Sequence, residues 1–202
     1  PYFMLGHSMG SFLLRQYLGL YGDGISGAIV MGTGSKSNLL LTAGKVLCRI
    51  IAFGKGWEYR SKLVNNMAFG GFNKKFSQET NGSDWLSRNP VNSQKYAKDP
   101  LCSFVFTVNA YYQMFCGILA VNHQEKNGKI PKTLPIFLVA GKDDPVGNFG
   151  KSVENIYKNY KSCGIEDVSM KLYENDRHEI LNEVDRSLVF DDLLTWMEKR
   201  KR

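Results

Sequence analysis

Hydrophobic residues run along the chain in two alternating rhythms. Tyr2 to Leu5 is a short apolar run closed by Gly6, and from Ser8 to Tyr21 the apolar residues Phe12, Leu13, Leu14, Tyr17 and Leu18 fall at helical spacing until Gly22 and Gly24 stop them. Gly27 to Gly32 is a continuous apolar run of the kind that forms a strand buried on both faces. Together these predict a β-α-β crossover with parallel strands and right-handed winding. From Gly34 to about Lys132 the pattern changes to one that is mainly helical, aromatic and basic, without a convincing buried strand, and predicts an inserted subdomain. The first rhythm then resumes with a strand over Pro135 to Gly141, a helix from about Gly147 to Lys161, a strand at Val168 to Tyr173 and a final helix near Asp185 to Lys199. Val189, Leu193, Trp196 and Met197 give that helix one apolar face. The organisation expected is therefore an α/β core in two pieces, 1–33 and 133–202, around a helical insertion at 34–132.

The chain is 202 residues, 43% hydrophobic and 22% charged, which is ordinary globular composition and excludes disordered and fibrous classes. The most apolar stretch, Phe104 to Val121, is broken by Asn109, Gln113 and Gly117, short of the roughly 20 uninterrupted residues of a spanning helix. The opening Pro1-Tyr2-Phe3-Met4-Leu5 has no initiator Met and no basic lead-in, so upstream sequence is expected, and a signal peptide cannot be assessed. Cys48, Cys102, Cys116 and Cys163 show no C-x-x-C spacing, which argues against a metal site or a disulfide framework and agrees weakly with a reducing, cytoplasmic setting. Asn81-Gly82-Ser83 reads as a chance sequon. The net charge of +7 is uneven: residues 33–134 hold 14 Lys and Arg against 5 Asp and Glu, and the remainder is slightly acidic. No nucleic-acid motif accompanies the basic segment, leaving a solvated surface, or a patch for anionic lipid or an anionic substrate.

Gly6-His7-Ser8-Met9-Gly10 matches G-x-S-x-G between a predicted strand and a predicted helix, the context of a nucleophile elbow. A serine on that turn projects its hydroxyl above the sheet edge, flanked by glycines that avoid backbone clashes, and the Met9 N–H at the helix start is aimed to serve an oxyanion. In this fold the acid and then the histidine follow later strands. Of the three histidines, His7 adjoins the serine and is expected to point away from it, and His123 falls in the insertion. His178 follows the Val168 to Tyr173 strand, where a base belongs. The loop after the strand ending at Ala140 offers two carboxylates, Asp143 and Asp144. Ser8, one of these acids and His178 together point to acyl transfer through a covalent intermediate. No cofactor-binding or metal-ligand motif accompanies them.

These residues resemble the α/β-hydrolases of the serine aminopeptidase S33 or Hydrolase_4 type, which include monoacylglycerol lipases and lysophospholipases. Besides the elbow, the resemblance rests on Phe72-Asn73-Lys74-Lys75-Phe76, Asp84-Trp85-Leu86-Ser87-Arg88, Lys98-Asp99-Pro100-Leu101-Cys102, Gly141-Lys142-Asp143-Asp144-Pro145-Val146 and Arg177-His178-Glu179-Ile180-Leu181-Asn182-Glu183. It implies an α/β-hydrolase fold in which the opening strand is the fifth, residues 34–132 form a cap between strands six and seven, and strands one to four are absent. It favours Asp144 over Asp143, because the acid stands three residues after the glycine and before Pro-Val. It also implies a second oxyanion donor from a His-Gly loop after the third strand, with no counterpart here; losing such a donor costs about 100- to 1000-fold in rate. The fifth strand would then expose an unpaired edge.

The function expected is hydrolysis of a lipid-like carboxylic ester, a monoacylglycerol or lysophospholipid. The aromatics of the insertion, among them Trp57, Phe72, Trp85 and Phe104, are candidates for an acyl-chain lining, although most such residues are ordinary core. A prolyl-type aminopeptidase needs acidic residues to hold a substrate amine, and the insertion supplies Glu58, Glu79, Asp84, Asp99 and Glu125 against its basic excess. A non-catalytic binding module is the third possibility. Arg88 or Asp99 is expected to make structural ion pairs within the insertion.

Overall fold

A computed structural model describes residues 1–76 and 82–201. Asn81 of the sequon and the acidic Glu79 lie outside the described residues. Four parallel strands, β1 (Phe3–His7), β2 (Gly27–Met31), β3 (Ile136–Gly141) and β4 (Val168–Tyr173), pair in sequence order into one sheet. The register sets Phe3 opposite Gly27, Ala28 opposite Ile136 and Ile136 opposite Val168. Parallel neighbours require crossovers, and helices supply them: α1 (Met9–Tyr21), then α2 (Asn38–Lys55), α3 (Lys62–Phe69), α4 (Pro90–Lys98) and α5 (Val108–Lys126), then α6 (Lys151–Ser162), with α7 (Arg186–Glu198) closing the chain.

Both faces of the sheet are covered, which is why β2 and β3 are apolar at every position. Ala28, Val30, Ile136, Leu138 and Ala140 pack against Leu14 and Leu18 of α1 and Val153, Ile156 and Tyr160 of α6. The alternate residues Ile29, Met31, Phe137 and Val139 pack with Tyr173 against Val189, Leu193 and Trp196 of α7. At about 1.5–3 kcal/mol for each large aliphatic buried, the two layers supply most of the driving force. A third cluster sits between β2 and β3 in the chain, where Leu41, Cys48 and Ala52 of α2 and Val64 of α3 meet Tyr111, Phe115 and Ile118 of α5.

Local signals set the helix starts. The side chains of Ser37, Ser61, Asn89 and Thr107 accept the N–H groups of Leu40, Val64, Val91 and Ala110, and Pro90 occupies the first turn of α4. The helix predicted from Gly147 begins instead at Lys151, because Asn148, Phe149 and Gly150 all have positive φ and cannot continue a right-handed helix. The opening strand likewise runs to His7, past the glycine expected to close it. Among the described residues the stretch between β2 and β3 contains no strand, and no helix is long and apolar enough to cross a membrane.

The stretch between β2 and β3 is bolted to α1 and α6 by a buried ion pair. Arg15 of α1 donates from Nε and Nη2 to Glu125 of α5 at 2.8 and 2.7 Å, and from Nη1 to Thr33 Oγ1 and the Gly34 carbonyl at 2.9 and 2.8 Å. The Tyr160 hydroxyl of α6 donates to the same carboxylate. Burial opposes the Arg15 charge, yet Glu125 and Tyr160 together hold its pKa above the ordinary arginine value.

Candidate active site

Ser8 occupies the turn between β1 and α1 with φ 55° and ψ −121°, a conformation costly for a residue with a Cβ. Its N–H donates to Met31 O of β2 at 3.1 Å, and its carbonyl accepts from Ser11 N and Oγ at 2.9 and 2.5 Å, so the strained turn is held on both sides. The two motif glycines differ. A Cβ on Gly6 would lie 2.4 Å from the Gly10 carbonyl, so the strand passes the helix only because Gly6 has none. A Cβ on Gly10 would meet nothing within 4 Å, contrary to the expectation that both glycines relieve a clash. Met9 is the first residue of α1, where an N–H has no acceptor inside the helix.

The turn after β3 holds Asp144, which is fully buried; its Oδ1 accepts from Val146 N at 2.8 Å, which restrains the carboxylate, and its backbone carbonyl accepts from Phe149 N at 2.9 Å, which closes the turn. Asp144 Oδ2 lies 2.9 Å from His178 Nδ1, and His178 Nε2 lies 2.8 Å from Ser8 Oγ. An ionised carboxylate only accepts, so Nδ1 carries the proton, and Nε2 presents its lone pair to the Ser8 hydroxyl. Asp143 faces the other way and pairs with Lys75 at 2.5 Å.

His178 is held by more than these two partners. The His7 ring, expected to point away from Ser8, lies 4.7 Å from the His178 ring, and its Nε2 is 3.1 Å from the His178 carbonyl. A carbonyl only accepts, so His7 Nε2 donates. Burial, then the neighbouring His178, lowers the His7 pKa and keeps this donor neutral. Gly32, with φ +56°, lies against both rings; a Cβ there would sit 3.1 Å from His7 and 3.2 Å from His178. On the other side, the Trp85 ring lies 5.1 Å from the His178 ring, and the Trp85 carbonyl accepts from His178 N at 3.4 Å.

Trp85 belongs to a segment fastened along the His178 loop. Leu86 O accepts from Glu179 N at 2.7 Å, and Arg177 Nη1 donates to the Asp84 and Ser87 carbonyls at 2.6 and 3.3 Å. Arg88 follows, with Nη2 at 2.9 Å from Asp176 and 2.6 Å from Asp185, and Nε 3.5 Å from Glu183. Three carboxylates around one guanidinium leave excess negative charge. Burial, then Asp185 and Glu183, pushes the Asp176 pKa up to about 7 against the pull of Arg88. Asp185 also feels desolvation, but its bond to Arg88 holds it below the usual carboxylate range. Of the two candidates for structural ion pairs, Arg88 is the one that makes them, and Asp99 caps a turn by accepting from Leu101 N at 2.8 Å.

His123, the third histidine, is exposed on α5, with its ring nitrogens 3.3 and 3.2 Å from Asn127 Nδ2. A cavity of about 210 Å³ borders Arg15, Asn122, Glu125 and Asn159, and Ser8 is not among the residues that line it. Sequence reasoning did not single out His7, Trp85 or Asp176 as partners of the histidine loop. The one available signal was the quoted segment Asp84 to Arg88, whose contacts are made across the fold.

The family model described as serine aminopeptidase, S33 (Hydrolase_4) matches residues 1–185. A highly thermostable carboxyl esterase from Bacillus coagulans, in complex with glycerol, is similar at a TM-score of 0.88 and 26% identity, over 99% of this chain and 65% of its own. A soluble variant of monoglyceride lipase from Saccharomyces cerevisiae, in complex with a substrate analogue, has a TM-score of 0.72 at 20% identity, over 100% of this chain and 63% of its own. The chain thus spans just under two thirds of the length of either, and both have the α/β-hydrolase fold. No curated protein matches it.

Proposed function

Because the chain belongs to the serine aminopeptidase S33 (Hydrolase_4) family, we propose that it is a serine hydrolase of carboxylic esters, with Ser8, His178 and Asp144 as nucleophile, base and acid. The observation that carries this is the continuous run Ser8 Oγ to His178 Nε2 to His178 Nδ1 to Asp144 Oδ2, with both links under 3 Å. His178 accepts the hydroxyl proton as Ser8 Oγ bonds to the ester carbonyl carbon, and Asp144 stabilises the resulting imidazolium. The Met9 N–H donates to the oxyanion. Collapse of the tetrahedral adduct expels the alcohol, which takes its proton from His178 Nε2. A water then attacks the acyl-enzyme by the same route in reverse order and releases the acid.

The substrate we favour is a single-chain lipid ester, a monoacylglycerol or lysophospholipid, with residues 34–132 as a cap over the site. The apolar and basic surface of α2 supports this: Leu39 and Phe53 are 83% and 97% exposed, beside exposed Lys36, Arg49 and Lys55. That combination suits peripheral contact with anionic lipid. An aminopeptidase reading gains less support, since Asp84 and Glu125, two of the acids it requires, are buried and already bonded to Asn73 and to Arg15.

Labelling by a fluorophosphonate, together with a panel of esters of rising chain length run beside an aminoacyl anilide, tests the proposal. Ser8→Ala should abolish labelling, and ester turnover should rise with chain length. Preference for the anilide would move the assignment to the peptidase, and silence on every substrate would favour a binding module.

A further inference from the structure

We propose that His7 and Trp85 are positioning residues that clamp the His178 imidazole from its two sides and hold it in line with Ser8 and Asp144. The inference rests on the catalytic assignment above and concerns how that base is kept in place. Asp144 bonds a single ring nitrogen and leaves the ring free to rock about that bond; a displacement near 1 Å is enough to cost about 100-fold in rate. The fold restrains this rocking at four points. The rings of His7 and Trp85 lie 4.7 and 5.1 Å from His178, while its carbonyl and N–H are taken by His7 Nε2 and Trp85 O respectively.

The two jaws have different anchors. His7 ends β1 and immediately precedes the nucleophile, so one strand terminus carries both Ser8 and the side chain that bonds the His178 carbonyl. Trp85 comes from the stretch between β2 and β3, and is itself fixed: its N–H donates to Asn73 Oδ1 at 3.0 Å, its ring lies 5.0 Å from Phe72, and Asn73 Nδ2 donates to Asp84 Oδ2 at 3.2 Å. Arg88 pairs with Asp176, two residues before the base, and fastens the same segment at its far end. A displacement of this segment by anything bound beneath it is thereby transmitted to His178.

Steady-state kinetics on a soluble ester, paired with proton NMR of the His178 Nδ1–H, test the clamp. Trp85→Ala and His7→Leu should lower kcat by about 10- to 100-fold while KM stays within about threefold, because the ground-state contacts are untouched. Both should also speed solvent exchange of the Nδ1 proton. Trp85→Phe and His7→Gln, which restore a ring face and an N–H donor, should recover most of kcat; Trp85→Leu, which keeps bulk without a ring, guards against a folding defect in the alanine variant. A Trp85→Ala loss confined to KM, with the Nδ1 proton unchanged, would assign Trp85 to substrate binding and overturn the clamp. Undiminished turnover in Ser8→Ala would instead overturn the catalytic assignment, an outcome that no jaw variant can mimic.

Discussion

Arg88 Nη2 lies 2.9 Å from Asp176 Oδ1, joining the stretch between β2 and β3 to the loop that carries His178. Asp176 is buried, and the charges facing it are Arg88, Asp185 and Glu183, with the hydroxyl of Tyr173 nearby in its field. One cation cannot neutralise three carboxylates, and the proton held by Asp176 resolves the imbalance. With a native pKa raised to about 7 from 3.8, Asp176 favours the folded state fully below about pH 4 and loses that contribution as pH rises through 7. Urea midpoints should therefore fall between pH 5 and pH 8, and Asp176→Asn should flatten the slope. An unchanged slope in that variant would move the titration to another group.

Removing the cation is the complementary test. Arg88→Met leaves Asp176 and Glu183 buried without their counter-charge, and should cost roughly 3 kcal/mol, less at acid pH where Asp176 is protonated. Denaturation curves at pH 5 and pH 8 separate the two contributions.

The motif glycines Gly6 and Gly10 should respond oppositely to a single methyl group. Gly6→Ala drives Cβ to 2.4 Å from the Gly10 carbonyl, a backbone atom that cannot swing aside, and should abolish folding or cost more than about 3 kcal/mol. Gly10→Ala points into open space at the start of α1 and should be neutral, or stabilising by up to about 1 kcal/mol through helix propensity. Thermal unfolding of the two variants decides the matter.

That contrast also marks how far the sequence could be read. Strands buried on both faces announce themselves as apolar runs, and Val168 to Tyr173 emerges with the same bounds in the structure. The elbow, the acid loop and the histidine loop are legible because each follows a strand, and local order along the chain gives their order around the site. What chain order does not contain is contact between loops. The approach of Trp85 to His178, and the fact that a Cβ would clash at Gly6 but not at Gly10, depend on how the stretch between β2 and β3 packs and on the sign of φ at Ser8. Consecutive positive φ at Asn148 and Phe149, neither of them glycine, likewise leaves no periodic trace.

Strain at Ser8 can be isolated by comparing two inactive variants. Ser8→Ala and Ser8→Gly both delete the hydroxyl and its bond to His178, but only glycine relaxes at φ 55°. Ser8→Gly should be more stable than Ser8→Ala by about 1 kcal/mol, although on the proposed mechanism both should lose ester turnover by several orders of magnitude, about a million-fold in comparable triads. Equal stabilities would mean that the elbow is unstrained.

The buried pair Arg15 and Glu125 links stability to the acid loop. Arg15 Nη1 holds the Gly34 carbonyl, and Gly34 lies so close to Val146 that a Cβ would come within 2.3 Å of the Val146 carbonyl. Val146 N in turn donates to Asp144 Oδ1. Glu125→Ala leaves the guanidinium and the Tyr160 hydroxyl without their shared acceptor in a dry interior, which should cost about 3–5 kcal/mol. Replacing both partners, as Arg15→Met with Glu125→Leu, removes the stranded charge and should recover most of that loss. If Gly34 transmits the Arg15 contact to the acid loop, the double variant should still show a lowered kcat, because Met cannot hold the Gly34 carbonyl. Recovery of stability without recovery of kcat, measured by denaturation and ester turnover on the same samples, is the result that separates positioning of the acid loop from simple stabilisation of the fold.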